Sequence, residues 1–477
     1  MNEYGLILAG NSQPARDNRC FDVLSPLTEQ PMARVARAGV EDVNQAVTAA
    51  REGFQQWSAL APKTREAILL KAAAIVEAEG ESRFLDLLID ESGSAISKAR
   101  YEIIYTVDLL RTAAGEVRRL YGDTFPNDNP QRLSMVFRQP LGVVAVVSPY
   151  NAPLALLTKM VAFPLAAGNS VVIKPSEETP LVALAFAKVL LEAGLPKAAI
   201  SVLPGFGHDC GAALVAHQHI DAIALTGSTQ TGIAIGQQAM QNMRPVQLEL
   251  GGKSALLVLA DCDPVKAAEI AAQGIFTHAG QICMANSRIV VERSISEPFL
   301  KALKEQAESL PIGDLRDEKT VYGPLINRRA VDKVLSHVQQ AQDAGAELLT
   351  GGHIVEGLMI APTVLIEPPR DQGVWREESF GPVTSVVVVD DLDEAISVAN
   401  DSEFGLSAAV LTHNIQWGFR AAREIHAGSV HIGMHSFQSN ALAPVGGSGL
   451  SGVGRSGGKY STEEFTEVKW VSVELGV

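Results

Sequence analysis

The sequence predicts an α/β protein with two domains, each holding a parallel sheet covered on both faces. Two observations carry this. Short runs of continuous apolar residues recur, where a half-wet strand would alternate, and helical stretches separate them. Strands of that kind alternating with helices form parallel sheets buried on both sides. The alternation occurs twice, with a boundary near Gly251-Gly252.

The elements follow in order. Apolar residues at three- and four-residue steps predict helices over 41–57 and 63–79. A more polar insert at 121–132 carries Gly122, Pro126 and Pro130 and reads as irregular. LGVVAVVSP at 141–149 and NSVVIKP at 169–175 read as buried strands, with a helix over 181–193 and further strands at 200–205 and 220–227. SALLVL at 254–259 opens the second alternation. Asp263-Pro264 then starts a helix, with a capping carboxylate before a first-turn proline. SRIVVE at 287–292, SVVVVD at 385–390 and SAAVLT at 407–412 are the next strands. VKWVSVEL at 468–475 alternates like an edge strand. Such a strand is better paired than open, so subunits are expected to associate.

The chain has 477 residues, 47% hydrophobic and 19% charged, enough for two or three domains with large cores. Its net charge of −15 argues against binding nucleic acid or an anionic membrane surface. Cys20, Cys210, Cys262 and Cys283 are scattered, so neither a disulfide framework nor a metal site is expected. Reduced thiols and an N-terminus without a signal-peptide pattern suggest a cytoplasmic protein. Pro149, Pro153, Lys159, Pro164 and Asn169 interrupt the most apolar region, 141–173, so buried strands and a helix are expected there rather than a membrane span.

Three loops follow strands and open helices: KPSEETP at 174–180, PGFGHDCG at 204–211 and LTGSTQTG at 225–232. Glycine lets backbone approach a phosphate, and free helix N–H groups bind anions. Glu177 suits a ribose diol and favours NAD over NADP, whereas Lys174 pulls the other way. In QLELGGKS at 247–254, Glu249 alternates against Val246, Leu248 and Leu250 at a strand end. It is either a surface carboxylate or a general base. GQICMANSR at 280–288 places Cys283 on a loop, where the sulfur is either packing or a nucleophile. Asn151 in SPYNAPL could donate to an oxyanion formed by attack on a carbonyl, and Glu249 could activate water for a later hydrolysis.

SPYNAP, KPSEETP, LTGSTQTG, LELGGKS, GQICMANSR, EESFGPV and the late GGSGLSGVGR resemble the aldehyde dehydrogenase superfamily in order and spacing, over nearly the whole chain. The resemblance implies an aldehyde dehydrogenase-like fold: a Rossmann-type NAD domain (1–121 and 141–252), an α/β catalytic domain (253–450) and a small β oligomerisation arm (122–140 and 463–477). It implies Cys283 as nucleophile, Glu249 as base and Asn151 as oxyanion donor. For the cofactor, NAD with NADP possible, it points to Ser148, Pro149, Tyr150, Lys174, Ser176, Glu177, Gly207, Gly227, Ser228, Leu250, Glu378 and Phe380. The expected partners are a small aldehyde and further copies of the chain, as a dimer or tetramer.

Some positions depart from the family pattern. Tyr150 stands where tryptophan is frequent, Ala152 where many relatives carry a bulky aromatic, and Lys159 where many carry tryptophan. The GQICM form and the small residue at 152 resemble the branch that acts on benzaldehyde, vanillin and salicylaldehyde. Lys159 either meets a charged group on the ring or sits in a helix salt bridge. His431 and His435 either touch substrate or pack. Aliphatic or semialdehyde substrates, a CoA-acylating reaction, a thiol esterase and a non-catalytic protein on the same fold are the rival readings.

Overall fold

The computed structural model describes residues 2–475, and the counts below are of those residues. The first sheet carries five parallel strands in the spatial order Val246–Glu249, Ala222–Thr226, Val143–Val147, Ser170–Lys174, Ile200–Val202. Antiparallel Gly452–Val453 closes one edge, and Leu6–Leu8 with Asn11–Gln13 closes the other. Side chains of successive residues go to opposite faces. Val144, Val146, Val171 and Ile173 accordingly pack with the helices Ala155–Ala167 and Pro180–Ala193. Val143, Ala145 and Val172 pack with Val43 and Val47 of the helix Val40–Ser58. Both faces are dry, which is why these strands read as continuous apolar runs.

The chain leaves Val143–Val147 toward Ile200–Val202, then returns to the other side for Ala222–Thr226 and Val246–Glu249. At such a reversal a crevice opens at the carboxyl ends of the strands. The three loops singled out in the sequence stand at those ends.

The second sheet runs Glu347–Thr350, Thr363–Ile366, Val383–Val389, Arg288–Glu292, Ala255–Val258, Ser407–Leu411, Ser429–Ile432, with its first strand antiparallel and the rest parallel. Its helix Pro264–Phe276 starts as expected. The Asp263 carboxylate accepts from the N–H groups of Val265 (2.9 Å) and Lys266 (3.1 Å), a cap that contributes about 1 kcal/mol. A third, antiparallel sheet pairs Thr466–Glu474 with Arg132–Pro140, which also pairs with Thr124–Phe125.

The β arm expected to include 122–140 holds the short strand Thr124–Phe125 and the long strand Arg132–Pro140. The N-terminal sheet Asn2–Tyr4, Pro31–Ala36, Cys20–Leu24 gave no signal, because strands this short and mixed in polarity show no period. Region 141–173 folds as strand, helix and strand; among the described residues no helix is long and apolar enough to cross a membrane. Positions 1, 476 and 477 of the expected domains lie outside the described residues.

Candidate active site

Asn151 sits between the strand Val143–Val147 and the helix Ala155–Ala167, and it is buried. Its side-chain Nδ2 donates to the Gln281 carbonyl (2.8 Å), which ties it to the loop bearing Cys283. That loop is built on an unusual turn. His278, Ala279 and Gly280 all have left-handed φ, at 52°, 55° and 69°. The two non-glycine residues cost on the order of 1–3 kcal/mol each in that region. Fully buried Gln281 braces the turn: its Nε2 donates to the His278 carbonyl (3.3 Å) and its Oε1 accepts from the Ile326 N–H (3.0 Å). A Cβ on Gly280 would stand 2.1 Å from the Gly381 carbonyl oxygen, so only glycine fits there. Beyond this turn Cys283 is partly exposed.

The LELGGKS segment lies directly against the same loop. A Cβ on Gly252 would come within 2.4 Å of the Cys283 carbonyl oxygen. Glu249, three residues earlier, is only 7% exposed and forms an ion pair with Lys159 Nζ at 3.5 Å. Of the two readings, a surface carboxylate or a base, burial removes the first, because Glu249 ends a strand covered on both faces. Gln247 is also buried and donates to the Arg455 carbonyl (2.6 Å). Lys159 is only 4% exposed and reaches across from another element, so it is not in a pair within its own helix.

The Cys283 thiol is pushed up to about 12. Desolvation by the surrounding protein contributes most, followed by the negative charges of Glu378 and Glu249, while Lys159 opposes them.

The residues expected to bind a cofactor stand at the carboxyl ends of the first sheet's strands or in the loops after them, and in the segment 378–380. Buried Ser148 donates its N–H to the Lys174 carbonyl (3.2 Å). Pro149 leads into Tyr150, whose ring meets Phe380 edge-on, with centroids 5.9 Å apart. Lys174 Nζ bonds Glu177 Oε2 at 2.9 Å. Burial raises the Glu177 pKa, but the Lys174 charge and hydrogen bond outweigh it, so the net shift is downward. Ser176 Oγ accepts from the Glu178 N–H (3.2 Å). Gly207 faces open space, where a Cβ would meet no atom within 4 Å. Gly227 donates its N–H to the Glu249 carbonyl (3.1 Å), and Ser228 caps the helix Thr229–Met240 by accepting from the Thr231 N–H (3.2 Å). Leu250 is buried and donates its N–H to the Ser451 carbonyl (3.0 Å). Glu378 Oε1 accepts from the Gly252 N–H (3.1 Å), and burial pushes its pKa up to about 7. Phe380 has φ 55°. An open glycine, a helix N-terminus, a carboxylate and two aromatic rings are groups that suit a dinucleotide.

The pattern of the Aldehyde dehydrogenase family matches residues 13–471. The chain belongs to that family. It is similar to a vanillin dehydrogenase from Pseudomonas fluorescens, at 36% identity over 100% of this chain and 99% of the relative. The NADP/NAD-dependent aldehyde dehydrogenase PuuC of Escherichia coli K12 is 38% identical, over 99% and 96%. A 3-sulfolactaldehyde dehydrogenase from Priestia aryabhattai is 36% identical, over 100% and 99%. Among solved structures, the NAD+ complex of an aldehyde dehydrogenase from Bacillus cereus superposes with a TM-score of 0.96 at 36% identity, covering 99% of this chain and 96% of that one. As an aldehyde dehydrogenase, the protein oxidises aldehydes with NAD or NADP as acceptor.

Three residues bonded to Asn151 or to the segment after it escaped the sequence reading: Gln281, Lys98 and Glu102. Lys98 Nζ donates to the Asn151 carbonyl (2.7 Å) and to Glu102 Oε2 (2.6 Å). A Lys-Glu pair four apart on a helix reads as a solvated surface pair. One signal was present in the helix Ile96–Glu116: Glu102 falls within the buried stripe Ala99, Ile103, Thr106, Leu110.

Proposed function

We propose that the enzyme oxidises an aromatic aldehyde to its carboxylate through covalent attachment to Cys283. The observation that carries this reading is the convergence of three groups on one loop. Asn151 bonds the residue two before Cys283, the Gly252 backbone abuts the Cys283 carbonyl, and Glu249 ends the strand leading into that glycine pair.

The Cys283 sulfur attacks the aldehyde carbon and the C–S bond forms. Because the sulfur starts as a thiol, its proton leaves as the bond forms. Glu249, whose charge already acts on this sulfur, is the base placed to accept it. Asn151 Nδ2 has a second N–H to hold the oxyanion, together with the Cys283 N–H. When bound, NAD or NADP accepts the hydride that leaves the former aldehyde carbon. Once Glu249 has passed the sulfur's proton to solvent, it deprotonates water, which attacks the thioester; the C–S bond breaks and the departing sulfur regains a proton from Glu249. Aldehyde, water and NAD+ become carboxylate, NADH and two protons.

Aromatic side chains near Glu249 and Met284 support an aromatic substrate. Tyr101 and Tyr105 stack with centroids 6.1 Å apart, and Tyr105 lies near enough to feel the Glu249 charge. The His435 and Phe437 rings meet at a tilt with centroids 4.2 Å apart, and between them Ser436 Oγ donates to the Met284 carbonyl (2.5 Å). Ala152, beside Asn151, leaves room. The vanillin dehydrogenase relative points the same way. The 3-sulfolactaldehyde dehydrogenase, equally similar, makes aliphatic or semialdehyde substrates the second reading. A CoA-acylating reaction would not need Glu249 as a base for water.

The same reading assigns residues 1–121 and 141–252 to the cofactor domain, 253–450 to the catalytic domain, and 122–140 with 463–477 to an arm that associates subunits in the cytoplasm. Cys283→Ala should abolish NADH formation while NAD binding persists; unchanged turnover overturns the nucleophile. A panel of benzaldehydes against short aliphatic aldehydes, read as kcat/KM, tests the substrate class.

A further inference from the structure

We propose that Lys98 is a positioning residue for the oxyanion site, acting through Asn151. The inference rests on the reading of Asn151 as oxyanion donor and extends it to a group outside the family's motifs.

Lys98 stands on the helix Ile96–Glu116, with its ammonium mostly buried. All three of its N–H donors are used: Ser94 Oγ at 2.9 Å, Glu102 Oε2 at 2.6 Å and the Asn151 carbonyl at 2.7 Å. An ammonium has only three donors, so its position is fixed by three anchors. Glu102 is 2% exposed, and its second oxygen accepts from the N–H groups of Leu154 (2.7 Å) and Ala155 (3.0 Å). Those amides open the helix Ala155–Ala167, immediately after Asn151. Lys98 and Glu102 therefore hold the backbone at Asn151 and at the turn that follows it. The Asn151 side chain is held separately, through Nδ2 on the Gln281 carbonyl (2.8 Å). The backbone clamp from one helix and the side-chain bond to the cysteine loop together set where the amide points. An oxyanion donor acts only if it is aimed before charge develops, and displacement by about 1 Å is costly.

Burial explains why this pair serves positioning rather than general stability. A buried charge pair contributes little net stability after desolvation, yet removing one partner leaves an unpaired buried charge. Lys98→Met alone would strand Glu102, so the double variant Lys98→Met/Glu102→Gln, which removes both charges, is made beside it. The measurement is single-turnover NADH formation with enzyme and NAD in excess over aldehyde, in Lys98→Met, Lys98→Arg, the charge-free double variant, Asn151→Ala and Lys98→Met/Asn151→Ala. Each protein is checked for an intact melting transition and for NAD affinity.

Lys98→Met and the charge-free variant should slow the single turnover roughly tenfold or more, with NAD affinity unchanged and partial recovery in Lys98→Arg. Asn151→Ala should cost roughly 100-fold. In the Asn151→Ala background, Lys98→Met should add less than about threefold, because the group it positions is gone. Full additivity of the two losses overturns the proposal, as does a normal single turnover in the folded charge-free variant. If Asn151→Ala itself turns over normally, the oxyanion assignment falls and the positioning role falls with it. If Asn151→Ala is slow while the charge-free variant is not, only the role of Lys98 falls.

Discussion

Cys283 keeps its proton in the free enzyme at neutral pH. Protein packed round the sulfur raises its pKa, two carboxylates add to this, and Lys159 opposes them. With the thiol pushed up to about 12, the thiolate fraction grows about tenfold per pH unit across the neutral and mildly alkaline range. Iodoacetamide labelling of Cys283 in the absence of NAD, followed by peptide mass spectrometry to separate it from exposed Cys20, should therefore accelerate from pH 7 to pH 10 without a plateau. Lys159→Met removes the charge that lowers this pKa, so labelling at a given pH should slow further. A plateau near pH 8 would contradict the electrostatic account. Glu249 is tested separately. Glu249→Gln should reduce turnover roughly 100- to 10,000-fold. If its role is deacylation, rapid-quench mass spectrometry should find acyl-enzyme accumulating; a slow enzyme with no acyl adduct assigns Glu249 to thiol activation instead. At this scale the sequence motifs made Cys283, Glu249 and Asn151 visible as candidates. The charge on Lys159 was visible too, but not its partner, because Glu249 lies 90 positions away in the chain.

Two adjacent glycines illustrate the element scale. At Gly252 an added methyl would collide with the Cys283 backbone carbonyl at 2.4 Å, whereas at Gly251 it would meet the end of the Glu378 side chain at 2.7 Å. A backbone carbonyl cannot move without shifting the catalytic loop, but a carboxylate can rotate. Gly252→Ala should accordingly lower kcat/KM for aldehyde by about 100-fold. Gly251→Ala should chiefly raise KM for NAD, by about tenfold, the effect of losing one hydrogen bond to the cofactor. Equal effects of the two substitutions on both constants would refute this. The parallel strands and the Asp263 cap were legible in the sequence because continuous apolar runs and capping chemistry are local signals. The left-handed turn at His278–Ala279 was not, since Gln281, which holds it through the His278 carbonyl, is itself anchored by Ile326, 45 positions further along the chain.

At the scale of the molecule, the strand Thr466–Glu474 pairs with Arg132–Pro140 on one side, and among the described residues no strand pairs with its other edge. Val468 and Trp470 are each 64% exposed on it. An apolar edge strand of nine residues invites pairing with another chain, the basis for expecting a dimer or tetramer. Trp470→Glu should shift sedimentation velocity toward a smaller species; an unchanged coefficient would place the subunit contact elsewhere. No step of the proposed mechanism calls for a metal ion, so EDTA should leave activity unchanged, and inhibition by chelation would reopen the chemistry.

The sequence by itself determined the alternation of buried strands and helices, the loops that open toward a cofactor, and which residues could do chemistry on a carbonyl. Each of these is written in neighbours a few positions apart. Only the tertiary structure decided that Glu249 is an interior group paired with Lys159, that the Cys283 thiol is raised, and that Lys98 and Glu102 anchor the backbone at Asn151. Those properties arise from dielectric and hydrogen-bond geometry among groups far apart in the chain, which no local pattern encodes.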